Sequence, residues 1–137
     1  MKKLLSILLI AGLGAGSLMA GSLSEAKRNA IAAMLAERNK GYYIKEAPGT
    51  YLRQGHYRTY SRYLYRGNCY VFVGVGDNTV RDLDAVLYDR LFNVIASDTS
   101  SDATPVIHFC PRRSGLYRIR TKMYRGHGYF FQVIGWK

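Results

Sequence analysis

The apolar positions of the chain change period twice. Residues 4–20 form an uncharged run rich in Leu, Ala and Gly, with Lys2 and Lys3 before it. From Ser24 to Lys40 the spacing becomes helical, with Ile31, Met34 and Leu35 as a short stripe among Ala26, Ala30, Ala32, Ala33 and Ala36. Ser24 is placed to cap this helix, Glu25 suits its positive end, and Arg38 with Lys40 suits its negative end. Gly41 then stops it. A stripe this narrow predicts a helix on the outside of the domain with one edge docked on it.

After residue 41 the period becomes that of strands. Runs rich in Tyr, Val, Phe and Ile alternate with Gly, Asn, Asp and Ser clusters. The predicted strands lie near Tyr42–Lys45, Tyr57–Tyr65, Cys69–Val75, Leu83–Tyr88, Val94–Asp98, Val106–Cys110, Gly115–Met123 and Tyr129–Ile134. About eight strands with one N-terminal helix predict a mainly β fold, a jelly-roll-like antiparallel sandwich. The 115–123 run is the clearest. Tyr117, Ile119 and Met123 fall on one face, and Arg118, Arg120 and Lys122 on the other.

The first twenty residues read as a secretory signal peptide, with a basic start, an apolar centre and Ala20 as the small closing residue. Leu18 stands two before Ala20, so a cut after Ser17 is the alternative. The run is broken by Gly12, Gly14 and Gly16 and falls short of the ~20 residues that span a bilayer. The expected organisation is a signal peptide over 1–20, a helix over 21–41 and a sandwich over 42–137. The expected compartment is the periplasm or the exterior, with no transmembrane segment after cleavage.

In that compartment Cys69 and Cys110 are expected to form one disulfide. A catalytic thiol would need a His partner, and His108 alone, two residues from Cys110, does not make that case.

The second half resembles a known family. DLDAVLYD, with Asp82, Asp84, Leu87, Tyr88 and Asp89, is similar to the first element of the bacterial pre-peptidase C-terminal domain. Gly115, Tyr117 and Ile119 match a GxYxV strand, and Gly128 with Tyr129 match the last strand. Phe92 stands where the family has a turn glycine. The resemblance spans roughly residues 70–134. It implies a small jelly-roll-like sandwich, here free-standing, with a non-catalytic role in binding, solubility or secretion. In related collagen-binding modules it implies calcium and attachment to substrate.

Charge refines the choice. The sequence of 137 residues has 20 Lys+Arg against 9 Asp+Glu, a net charge of +11 that falls to +9 once Lys2 and Lys3 are removed. All six Asp lie between Asp77 and Asp102, whereas 47–76 and 103–137 contain no acid. Asp82, Asp84, Asp89, Asp98 and Asp102 are the candidate calcium ligands, because calcium takes six to eight oxygens at about 2.3–2.6 Å. Pairing with Arg and turn hydrogen bonds are the plainer use of the same residues. No other cofactor is expected.

The candidate ligand surface combines Tyr57, Arg58, Tyr60, Arg62, Tyr63 and Arg66 with Arg118, Arg120 and Lys122. Tyr offers a flat apolar face with a polar tip, and Arg pairs with anions. The expected partner is a protein or an anionic envelope polymer, such as lipopolysaccharide or a wall polymer. Nucleic acid would suit the chemistry but not an exported chain. Calcium-dependent adhesion is one alternative. A structural subunit of an envelope assembly is another, favoured by an exposed helix face.

Catalysis has little support. HExxH, GxSxG and a phosphate-binding glycine loop are absent, and His56, His108 and His127 are scattered. A small basic nuclease using His56 or His127 would lack an evident acid partner.

Overall fold

The computed structural model describes residues 21–137, so the predicted signal peptide lies outside the described residues. The helix, α1, runs Leu23–Asn39. Its cap is Ser22 rather than the expected Ser24, the Ser22 hydroxyl accepting from Glu25 N at 3.1 Å. Gly41, at φ +97°, ends it by donating to the Arg38 carbonyl. Among the described residues no helix is long and apolar enough to cross a membrane.

Nine strands follow, one more than the sequence predicts. They are β1 Tyr43–Glu46, β2 Gly49–Leu52, β3 Tyr57–Leu64, β4 Tyr70–Gly76, β5 Val80–Tyr88, β6 Val94–Asp98, β7 Val106–Phe109, β8 Gly115–Gly126 and β9 Gly128–Trp136. All pair antiparallel, in two sheets. One has the order β1-β9-β4-β7 with β2 also on β9, and the other has the order β3-β8-β5-β6. The additional strand, β2, is the continuation of β1 along the same edge of β9. Pro48 divides them, since proline has no N–H for the ladder, while its carbonyl still accepts from Gln132 N at 2.8 Å.

The main core lies between the sheets. Leu64, Phe72, Leu83, Leu87, Ile119, Met123, Phe130 and Ile134 are all buried there. β8 supplies Ile119 and Met123 to it, with Tyr117 partly buried against it, which matches the expected alternation.

β4 is apolar on both faces for a reason. Tyr70 and Phe72 point into the sandwich, whereas Val71, Val73 and Val75 form a second cluster with Tyr42 and Val133. α1 covers that second cluster. It does so with Ala26, Ala30, Ala33 and Met34, while Ile31 and Leu35 face solvent at 53% and 52% exposure. The expected apolar stripe is therefore corrected. The small alanines let the helix backbone approach the sheet, and two of the three stripe residues point away. Asn29 Nδ2 donates to the Gly76 carbonyl and Asn78 N donates to Glu25, fixing the helix to the β4–β5 turn.

Cys69 and Cys110 form the expected disulfide, with Cα atoms 4.1 Å apart. They flank the Tyr70–Phe109 register pair, so the bridge closes one end of the β4–β7 ladder.

Candidate binding face

The second sheet carries β8 in its middle, and α1 sits on the other sheet. Among the described residues no element covers the outer face of β3-β8-β5-β6. Strand alternation puts Arg118, Arg120 and Lys122 on that face. Register then sets their neighbours. Arg120 stands between Thr59 and Val86, Arg118 between Ser61 and Tyr88, and Lys122 between Tyr57 and Asp84.

Because Thr59, Ser61 and Val86 are short, the long side chains lean on rings instead. The Arg120 guanidinium lies 5.1 Å from the Tyr57 ring centre and 5.0 Å from that of Tyr88. Arg118 lies 4.3 Å from Phe92 and donates to the Arg90 carbonyl at 3.1 Å. Such contacts hold a guanidinium flat over a ring while its N–H groups stay free for an anion. Tyr57, Tyr63 and Tyr65 are each half exposed or more, with Tyr63 and Tyr65 in contact at 5.0 Å between centres.

The residues predicted as one ligand surface divide between the two faces of β3. Tyr57 and Tyr63 join the open face. Arg58, Tyr60 and Arg62 point the other way, toward the first sheet. Tyr60 is buried between the two guanidinium groups, 5.8 Å from Arg58 and 5.4 Å from Arg62. Arg62 is committed: its Nε and Nη2 donate to the two Glu46 oxygens at 2.7 Å each, and Nη1 donates to the Ser61 carbonyl. Those bonds hold the Glu46 carboxyl below its ordinary range and raise the Arg62 pKa. Arg58 donates to Thr50 Oγ1, so both arginines tie β3 to the β1–β2 edge. Arg66 lies in the β3–β4 loop, beside Arg112 and the disulfide.

The candidate calcium ligands also divide. Asp82 and Asp84 are neighbours near the start of β5. Asp98 pairs with Ala85, and the Asp102 carbonyl accepts from Leu83 N. Asp89 is at the far end of β5, where its carboxylate accepts from Leu91 N, Asn93 N and Asn93 Nδ2. Asp98 is likewise engaged, by Ser100 and by Val106 N. The Asp84 carboxyl is pushed up by burial and then by the charge of Asp82, with Lys122 opposing. Among the described residues no group of three or more His, Cys, Asp or Glu is placed to hold a metal ion. None of the three histidines there is paired with a carboxylate.

Tyr88, Phe92 and Tyr124 belong to the open face or its rim, and none of them is among the residues the sequence predicts to bind a ligand. Tyr88 stands in the DLDAVLYD motif, but its role depends on β5 lying beside β8, which one sequence does not show.

No protein-family model matches the chain, and no curated protein sequence matches it. A solved structure does. The chain is similar to the pre-peptidase C-terminal domain of collagenase from Bacillus anthracis, with a TM-score of 0.53 and 17% identity, over 66% of this chain and 89% of that one. Mainly β, with two antiparallel sheets and one helix among the described residues, the chain thus carries the fold of a pre-peptidase C-terminal domain.

Proposed function

We propose that the protein is an exported, non-catalytic binding module whose open sheet face holds an anionic envelope polymer. One observation carries the reading. Tyr57, Arg120 and Tyr88 form a continuous stack, flanked by Arg118 and Lys122, on the sheet face opposite the helix-covered side. Flat rings receive the faces of sugars, and guanidinium groups pair with phosphate or carboxylate between them. The disulfide suits an oxidising compartment, and the likeness to a pre-peptidase C-terminal domain suits a role without catalysis.

The test is titration with two soluble probes, lipid-free phosphorylated core polysaccharide and wall teichoic acid, at rising salt. Binding to either should weaken with salt at a slope set by the anions contacted, about three. Arg120→Ala should lower that slope by about one and weaken binding at low salt. No binding to either probe at low salt would end the proposal, and so would an unchanged slope in the variant.

The exposed pair Ile31 and Leu35 favours a second reading, a structural subunit of an envelope assembly. Sedimentation distinguishes it. A subunit of that kind self-associates or captures an envelope partner with little effect of salt, and Ile31→Ser with Leu35→Ser abolishes the association.

A further inference from the structure

We propose that the tip of the β5–β6 hairpin docks the protein on an anionic lipid surface. Leu91, Phe92 and Val94 would enter the headgroup region, and arginines around them would meet the lipid phosphates. The inference goes beyond the polymer reading and does not rest on it.

The tip is a rigid three-residue loop, Arg90-Leu91-Phe92. Phe92 N donates to the Asp89 carbonyl at 3.1 Å, and Asp89 N donates to the Asn93 carbonyl at 3.0 Å. The Asp89 carboxylate fixes the rest by accepting from Leu91 N and Asn93 N at 2.9 Å each. In this loop the third residue takes the left-handed conformation, where glycine is the usual occupant. Here it is Phe92, at φ +63°, the one residue other than glycine at positive φ among the described residues.

The fold gains little in return for that strain. Phe92 is 62% exposed, with Arg118 and the edge of Tyr88 as its aromatic and cationic neighbours. Leu91 and Val94 beside it are 70% and 61% exposed, and Leu91 is the most exposed large hydrophobic in the described chain. Leu91 and Phe92 in the loop and Val94 at the start of β6 are thus all exposed, around a turn whose backbone is fixed by hydrogen bonds.

What surrounds the tip selects the partner. Three neighbouring loops at this end of the sandwich each bring arginine: Arg66 from β3–β4, Arg90 from the tip, and Arg112 with Arg113 from β7–β8. Arg90, Leu91 and Arg113 line one depression, and Ile95, Arg112 and Arg113 line the next. The acid in these loops is Asp89, and its carboxylate is occupied by the turn. A small apolar tip within a basic collar is complementary to anionic headgroups above acyl chains.

Residues 21–137 hold the whole described sandwich with its core and disulfide, so the oxidised chain from residue 21 is the unit to test. This removes the apolar 4–20 run from the readout. Flotation would use vesicles of roughly three parts phosphatidylcholine to one part phosphatidylglycerol, against phosphatidylcholine alone. The wild type should float with the mixed vesicles and far less with the neutral ones. Phe92→Gly should bind at least about ten-fold more weakly, while its unfolding midpoint stays level or rises because the strain is relieved. Arg112→Gln with Arg113→Gln should weaken binding to the mixed vesicles only. Absence of wild-type flotation, equal flotation on neutral vesicles, or undiminished binding by Phe92→Gly would each overturn the proposal. So would lipid-free self-association abolished by Phe92→Gly, which would make the tip a contact between copies.

Discussion

Thr121 and Gln132 meet in the centre of an otherwise apolar sandwich, one from each sheet. Both are fully buried, and the Thr121 hydroxyl donates to Gln132 Oε1 at 2.6 Å. The amide nitrogen of Gln132 has no partner. Thr121→Val removes the one hydrogen bond and leaves the whole amide dry, which should cost about 1–3 kcal/mol. Gln132→Leu removes the unpaired N–H together with the acceptor, so its net cost should be smaller, about 1 kcal/mol. Replacing both partners leaves no buried polar group, and the double variant should fall within about 1 kcal/mol of the wild type or exceed it. The two substitutions are therefore strongly non-additive, with a coupling of at least about 1 kcal/mol. Urea unfolding of all four oxidised proteins, compared at equal slope, measures it. Additive losses, or a Thr121→Val variant as stable as the wild type, would refute the account of this pair.

Three further outcomes follow from the fold. Serine at both Cys69 and Cys110 opens a loop of 41 residues and should cost about 4 kcal/mol, read from urea midpoints with and without the bridge. Arg62→Ala breaks the two-pronged, three-quarters-buried contact with Glu46 that links the sheets, and should cost about 1–2 kcal/mol in the same assay. The Asp84 carboxyl, raised by burial and by Asp82, binds its proton more tightly in the folded state. Stability from this group is thus greatest in acid and declines as pH rises from the ordinary carboxylate value through the raised one. Asp84→Asn should flatten that decline and raise Tm at neutral pH, and melts from about pH 4 to 7 would show it; parallel curves for the two proteins would count against it.

Elements with a strong period were legible in the sequence. The alternation of β8 places its arginines correctly, because Tyr117, Ile119 and Met123 mark the buried side of the strand and assign the residues between them to the other side. The cysteine pair was legible because two residues allow one pairing. β2 escaped because Gly49-Thr50-Tyr51-Leu52 is short, follows a proline and lies on an edge, where pairing with β9 rather than composition makes it a strand. The helix stripe misled for a different reason. Hydrophobicity marks Ile31 and Leu35, whereas a helix that lies close on a sheet needs small side chains, and Ala26 and Ala30 supply them. At the site, residue type identified tyrosine and arginine but not their direction. Arg58 and Arg62 share parity with Tyr60 and Leu64, and that parity turns them inward to Glu46 and Thr50 once the sheets stack.

The place of β9 governs when the molecule can form. It is hydrogen-bonded to β1, β2 and β4, so the first sheet has no centre until residues 128–136 have left the ribosome. Tyr43 must find Trp136, and Gly49 must find Phe131, across more than two thirds of the described chain. Long-range pairings of this kind fold slowly, because loop closure comes before the contacts that reward it. Until β9 has emerged the chain also lacks Phe130 and Ile134, so the core between the two sheets cannot close. Deletion of the β9 strand should leave not a weakened sandwich but an unfolded chain.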